Sequence, residues 1–450
     1  MQNIETDFLI LGAGWSGLVA AECLSRNNKR IVILEKENEA GGLARTFDFG
    51  GFKFDIGGHA LFFKKAENFA YLKSLSKNGS LVSINRKAKM FFNNKYLDFP
   101  PNISSILRLG LENIVNISLD FLRLDKTNEK KNFEEWAKSN YGDNLYKIYF
   151  KEYSEKVWGS PCRQLSAGWA NRRIGNNSLT RVIGNFVSKK EYGKEGGAFF
   201  YYPLQGIGTL PGLLEKAVAG QTCKLYKGAR IDKILMSDNR LNSLNFIYKE
   251  KIYNVTFKHI ISSIPLVEFI KLLAEYLSEE TVNYARGIKY RNLILVNILI
   301  PKDLVTDWHW CYFPSKDLLF SRLHEPKFWS KNLAPDNNTM LCTEIFCDYG
   351  DAYWQMSEDT LAKKIIVNLK DLKLLAMTEE ARGFLVKKIE YAYPLLYEGF
   401  ERPLRRVQES LNAFGNLVLI GRNGTHSYFD MEDCLEDTRK KIYQTLSGDN

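Results

Sequence analysis

No stretch of the chain stays apolar for the eighteen or more residues that a membrane-spanning helix needs, and its mean hydropathy is slightly negative. No transmembrane segment is expected. Paired cysteines are lacking as well. The seven present (Cys23, Cys162, Cys223, Cys311, Cys342, Cys347 and Cys434) stand singly, which gives neither a disulfide framework nor a zinc site. Histidine is scarce, and His259, His309 and His324 show no metal-ligand spacing, so no metal is expected. No basic block is interleaved with aromatics, and nucleic acid is not an expected partner. Internal repeats and low-complexity linkers are missing too. Ahead of the first apolar strand there is no room for a basic stretch, an apolar core and a cleavage site. With unpaired cysteines, this makes a reducing cytoplasm the expected location.

What is present suits a multi-lobed α/β protein. A length of 450 residues, 45% of them hydrophobic and 25% charged, exceeds one ordinary core. The formal net charge of +10 fits an anionic small-molecule substrate, an anionic membrane surface or a generically basic surface. Phe8–Leu11 has the look of a buried parallel strand, Leu18–Leu24 recurs at helical spacing, and Ile31–Leu34 is a second buried strand that ends on Glu35. That is a βαβ unit. Helical periodicity runs from about Ile103 to Leu124 and from Phe133 to Trp158. Gly228–Ile234, Leu244–Tyr248 and Ile252–Phe257 alternate as a meander, and His259–Ile264 reads as a further buried strand. Helix follows at Thr360–Leu374, a last strand at Leu417–Gly421 and a final helix from about Glu432. The expected division is a nucleotide domain in three pieces, 1–95, 201–275 and 386–450. A helical substrate lobe, 96–200, and a sheet-containing substrate lobe, 276–385, interrupt it.

Between the first strand and its helix lies Gly12–Ala13–Gly14–Trp15–Ser16–Gly17. Gly12 permits the tight turn, Gly14 lets backbone approach a pyrophosphate, and Gly17 allows close helix–strand packing. The helix start offers N–H groups and a partial positive charge to phosphates. Glu35 can accept both ribose hydroxyls; the alternative is a glycine-rich turn with an incidental acid. A second glycine stretch, Gly41–Gly42–Leu43–Ala44–Arg45–Thr46, and then Asp55–Ile56–Gly57–Gly58–His59 move the expectation from NAD to FAD.

These segments resemble the FAD-dependent superfamily that contains amine oxidases, protoporphyrinogen oxidase, phytoene desaturases and UDP-galactopyranose mutase. The resemblance implies a discontinuous Rossmann-like FAD-binding domain of the glutathione-reductase type. It places Gly12, Gly14, Gly17, Glu35, Gly42, Arg45, Gly58 and Gly421 along the cofactor. Further segments narrow it to the mutases. They are Asp55–His59, Tyr153–Ser154–Glu155–Lys156–Val157–Trp158–Gly159, Trp169–Ile174, Trp310–Pro314 with Arg322, and Tyr391–Pro394. By that resemblance His59 lies against the flavin, Arg173 and Arg322 act with it, and Tyr153, Trp158, Tyr312 and Tyr428 bind substrate. Core aromatics, a surface arginine and an ordinary strand pair are the alternative readings of these side chains. One departure stands out. Ser427 occupies the place of a diphosphate-binding arginine, which removes one charge-assisted contact, and His426 is the candidate substitute.

The implied function is a sugar-nucleotide mutase of polysaccharide biosynthesis, in which reduced FAD is the nucleophile and no net redox change occurs. The implied partners are a nucleotide sugar and, as reductant, NAD(P)H. The rivals are an FAD-dependent oxidoreductase of the same superfamily, with a more apolar pocket, and a binding protein that kept the fold without the flavin.

Overall fold

A computed structural model describes residues 2–76, 80–122, 130–168, 170, 199–220 and 222–448. Arg173 and the rest of the Trp169–Ile174 segment apart from Ala170 lie outside them. The chain opens on β1 (Gln2–Leu11), α1 (Trp15–Ser25) and β2 (Ile31–Glu35). β1 and β2 pair in parallel, Phe8 opposite Ile31 and Leu11 opposite Leu34. Trp15 to Leu24 of α1 are all buried, because the helix is covered on both sides, by this sheet and by the helices Thr209–Val218 and Met431–Gly448. A helix that is buried all round needs small residues rather than an amphipathic stripe, and Gly17, Ala20 and Ala21 supply them.

Next come the hairpin β3 (Thr46–Phe49)–β4 (Phe52–Asp55), α2 (Ala66–Leu75), β5 (Leu81–Asn85), and the hairpin β6 (Ala88–Phe92)–β7 (Lys95–Asp98). The last turns on Asn93 and Asn94, both at positive φ, a conformation asparagine tolerates and two-residue hairpins require. The helical lobe follows: α3 (Ile103–Leu107), α4 (Leu111–Leu122), α5 (Phe133–Leu145), a π-helical turn over Tyr146–Lys151, and α6 (Glu152–Trp158). Gly110 and Gly142, at φ 98° and 83°, break what the periodicity presents as two longer helices.

β8 (Phe199–Pro203) pairs with β5. β9 (Cys223–Lys227), β10 (Arg230–Ser237), β11 (Arg240–Tyr248) and β12 (Lys251–Ser262) then return to the first sheet, with tight turns at Asp238–Asn239 and Lys249–Glu250, all four residues at positive φ. The two strands expected at Ile252–Phe257 and His259–Ile264 are one, β12. Its first half pairs antiparallel with β11, and its length runs parallel to β1. Its burial accordingly changes from alternating to continuous.

The second sheet is built from β13 (Tyr290–Ile300), β14 (Trp310–Tyr312), β15 (Arg322–His324), β16 (Thr339–Cys347) and β17 (Gly383–Pro394), and β18 (Leu417–Leu419) closes the first. Among the described residues there are thus two seven-stranded sheets. One has the order β10-β11-β12-β1-β2-β9 with β18 beside β12; the other has the order β17-β13-β16-β15-β14-β6-β7. β6 and β7, which the sequence reading groups largely with the nucleotide domain, join the second sheet through a parallel pairing of β6 with β14. No helix among the described residues is long and apolar enough to cross a membrane.

Candidate active site

The carboxyl ends of β1, β2 and β12 open onto a cleft of about 2340 Å³ whose far wall is the second sheet and the helical lobe. An ordinary ligand pocket takes roughly 300–1,000 Å³, so this cleft has room for a dinucleotide and a second ligand end to end.

Its floor is the pair of glycine loops. A Cβ on Gly17 would sit 1.9 Å from the Gly12 carbonyl oxygen, and one on Gly42 would sit 2.9 Å from Gly14 Cα. The loops therefore touch backbone to backbone, and the Gly41 N–H donates to the Ala13 carbonyl at 2.8 Å. α1 starts at Gly14 without a side-chain cap. Glu35 is buried at the end of β2; Oε2 accepts from the Ala13 N–H at 2.7 Å and Oε1 from the Glu37 N–H at 2.9 Å. Arg45 donates from Nε to the Gly42 carbonyl at 3.0 Å. Gly421, at φ 73°, lies so close to the start of α1 that a Cβ would meet Ser16 Oγ at 2.4 Å. The expected cofactor residues Gly12, Gly14, Glu35, Gly42, Arg45, Gly58 and Gly421 all line one cleft, and Gly17 packs beneath it. The cradle is backbone-lined, as a pyrophosphate requires.

His59 follows Gly57–Gly58, where a Cβ on Gly58 would touch Trp329 at 3.4 Å. Its Nδ1 lies 3.2 Å from the Gly57 carbonyl. A carbonyl only accepts, so we assign the ring proton to Nδ1, which leaves Nε2 as the acceptor. Burial, and then the charge of Arg422, lowers its pKa to about 4, so the ring is neutral at pH 7.

Arg322 on β15 stands directly opposite Glu344 on β16. Nε donates to Oε1 at 2.8 Å and Nη2 to Oε2 at 2.5 Å. Burial by itself would raise the Glu344 carboxyl; the Arg322 charge, with His324 behind it, outweighs this and holds the pKa at about 2. Glu344 also accepts from the Gly58 N–H at 3.3 Å. The guanidinium that the sequence offers to a diphosphate is therefore already engaged along one edge. Glu344 and His324, to which the sequence reading gives no role, connect it to the His59 loop. No local signal could have found this pair, since it arises from strand register.

Around these lie the aromatic walls. Tyr153 meets Tyr312 edge-on at 5.0 Å, and Tyr312 meets Phe99 at 4.8 Å. Trp158 meets Tyr428 at 5.9 Å and Tyr393 at 6.3 Å, and Tyr393 stacks on Tyr428 at 6.0 Å. The Arg422 guanidinium lies 5.0 Å from the Tyr393 ring centroid and 5.8 Å from that of Tyr428, within cation–π range. The four expected substrate residues Tyr153, Trp158, Tyr312 and Tyr428 thus share the cleft with His59 and Arg322. Arg173 lies outside the described residues.

The suggestion that His426 replaces a missing arginine is corrected. His426 is 1% exposed and packs against Tyr290; burial lowers its pKa to about 4, and it does not line the cleft. Ser427 does not line it either, whereas Arg422, five residues earlier, does. A short helix, Gly421–Gly424, and the positive φ of His426 fold the segment back so that Arg422 and Tyr428 face the same space. Among the described residues no group of three or more His, Cys, Asp or Glu side chains could hold a metal.

A model of the flavin-containing amine oxidoreductases matches residues 15–439. The chain belongs to this family. The family's cofactor is a flavin, here FAD, and the two glycine loops with Glu35 line the cleft where a dinucleotide would lie. This amine oxidoreductase family member is 25% identical to the dTDP-fucopyranose mutase of Escherichia coli over 438 residues, 95% of each chain. It is 23% identical to the probable UDP-galactopyranose mutase of Klebsiella pneumoniae over 98% of this chain and 95% of that one. A crystal structure of reduced UDP-galactopyranose mutase shares its fold, with a TM-score of 0.84 at 21% identity, covering 98% of this chain and 96% of the other. The likeness to all-trans-retinol 13,14-reductases is of another kind. It is 45% identity to the inactive one of Danio rerio over 51 residues, 11% of this chain and only 8% of that protein's length.

Proposed function

We propose that this flavoenzyme is a nucleotide-sugar mutase that interconverts the pyranose and furanose rings of its substrate without net redox change, in the biosynthesis of a polysaccharide. The observation that carries the reading is the extent of the likeness: two nucleotide-sugar mutases align along 95% of their length. The chemistry of the cleft supports it. A nucleoside diphosphate leaving group needs fixed positive charge in a site that excludes water, and Arg322 and Arg422 stand among tyrosine hydroxyls and aromatic faces there. Trp158, Tyr153 and Tyr312 are assigned to the base and sugar, and Tyr428, Arg422 and Arg322 to the diphosphate, together with Tyr393, to which the sequence reading gives no individual role. Arg173 is assigned to the same clamp by its motif. The two glycine loops with Glu35 would hold FAD, which in its reduced form would supply a nucleophile for the anomeric carbon. His59, neutral and with Nε2 as acceptor, orients and shields that centre and carries no charge that would compete with the arginines for the diphosphate. NAD(P)H is the proposed reductant and the cytoplasm the proposed location.

The family name favours the other reading, hydride removal from an amine or related substrate. The test is to reduce the flavin, add UDP-galactopyranose or dTDP-fucopyranose, and follow ring isomers by chromatography. Furanose formed over many turnovers for one initial reduction is the expected result. Reductant consumed in step with product, or sustained hydrogen peroxide, identifies an oxidoreductase instead.

A further inference from the structure

The motif that contributes Tyr153 and Trp158 also contains Lys156, which does not line the cleft. Its side chain runs the other way, beneath the connector between β14 and β15. There Nζ donates to three backbone carbonyls, Phe313 at 3.2 Å, Ser315 at 2.7 Å and Phe320 at 2.6 Å. An ammonium has three N–H donors and no acceptor, so this seat matches it donor for donor. The connector joins the strands that carry Trp310 and Tyr312 on one side and Arg322 and His324 on the other. A single cation thus binds the helix holding Tyr153, Ser154, Val157 and Trp158 of the cleft to the hairpin holding four more of its residues.

A second cation holds the same, carboxyl-terminal end of α6. Arg291, 4% exposed, donates from Nε to the Val157 carbonyl at 3.0 Å and pairs with Asp348. A cation at the carboxyl end of a helix meets its unpaired carbonyls and the negative end of its dipole. Gly159, at φ 65°, admits it: a Cβ there would lie 2.7 Å from Arg291 Nη1. α6 has seven residues and continues the π-helical turn over Tyr146–Lys151 without a break in helical backbone. Its placement is set by these two tethers and by its packing.

We propose that Lys156 is a positioning residue. Its ammonium fixes Tyr153 against Tyr312, and Trp158 against Tyr393 and Tyr428, so that the cleft is shaped for the nucleotide before the nucleotide arrives. This rests on the mutase reading for the identity of the ligand, not for the geometry. The charged groups that bear on Lys156 are Asp317 in the connector and Glu152 one turn back on α6, and both favour the ammonium. Burial works against them and lowers its pKa to about 7. A neutral amine has two N–H donors for three carbonyls, so the tether weakens as pH rises through that value.

The test uses the FAD-loaded protein with UDP as probe. Reduced wild type is titrated with UDP between pH 7 and 9 and should bind more weakly as pH rises. Lys156→Met should bind about tenfold more weakly at pH 7, about 1.4 kcal/mol, with that pH dependence gone and FAD content unchanged. Lys156→Arg should restore most of the affinity and move the decline to higher pH. Hydrogen exchange at residues 153–158 and 310–324 should speed up in the Met variant and, in wild type, above pH 7 beyond the intrinsic rate. Wild-type affinity that is flat with pH, or a Met variant that binds and exchanges like wild type, overturns the proposal. If wild type binds no UDP at millimolar concentration, it is the mutase reading that fails. Exchange alone then decides Lys156: faster exchange confined to those two segments upholds it, and unchanged exchange overturns it.

Discussion

Two buried carboxylates respond to acid in opposite directions. Glu344 is held at about 2 in the folded protein against an ordinary 4.5. The stability it lends is complete above pH 4.5 and is lost as pH falls toward 2. Asp55 accepts from Tyr202 Oη at 2.5 Å and Thr46 Oγ1 at 2.6 Å, yet burial raises it to about 6 from 3.8. The folded state then keeps a proton that the unfolded state has released. Stability therefore falls as pH climbs from about 4 to about 6 and is level above, a change of about 3 kcal/mol. Asp55→Asn should flatten urea midpoints across that window, whereas Glu344→Gln should lower them at every pH above about 5. It leaves the buried Arg322 charge without its counter-ion, at roughly 3–5 kcal/mol. Gly17→Ala is a sharper test of the cofactor floor. With 1.9 Å between the new methyl carbon and the Gly12 oxygen, the loop must move, and purified protein should retain little or no FAD by absorbance. Glycines of this sort are legible in a sequence because no other residue satisfies the backbone. The Arg322–Glu344 pair is not, because its two members are 22 residues apart and meet only through antiparallel register.

Among the elements, periodicity reveals helices better than it reveals their breaks. The stretch Phe133–Trp158 reads as continuous, but Gly142 adopts φ 83°, ψ 166° and a π-helical turn follows. At Gly142 an added Cβ would meet Asp120 Cβ at 2.6 Å, and Asp120 in turn accepts from the Asn144 N–H at 2.7 Å. Gly142→Ala should therefore cost about 1–3 kcal/mol in urea unfolding while FAD content holds, since the kink belongs to the helical lobe. β12 presents the reverse case. Its first half is half-exposed and its last three residues are fully buried, so pattern reading divides it at Lys258, where the neighbour on one edge changes from β11 to β18. β6 and β7 have no counterpart in the sequence reading, and their sheet is chosen by a parallel contact with β14 more than 200 residues later, which no local pattern encodes.

Taken whole, the molecule places its cleft between two sheets, each of which forms part of the wall. A ligand that bridges them stabilises both. Stripping FAD should lower the melting temperature and broaden the transition, and adding it back should reverse both, measured by calorimetry. A net charge of +10 attracts anions to the protein from beyond contact distance, so the association rate of UDP should fall as salt rises, much more than its dissociation rate changes.

The first sheet has a further consequence, in time rather than in space. β18 lies beside β12, and the helix Met431–Gly448 covers α1, with Trp15 Nε1 donating to the Met431 carbonyl at 2.9 Å. A ribosome releases the glycine loops about 400 residues ahead of the elements that cover them. The glycine loops therefore wait, half-walled, until those elements have been made. The cleft cannot be walled on this side until Met431 and the helix it opens have emerged.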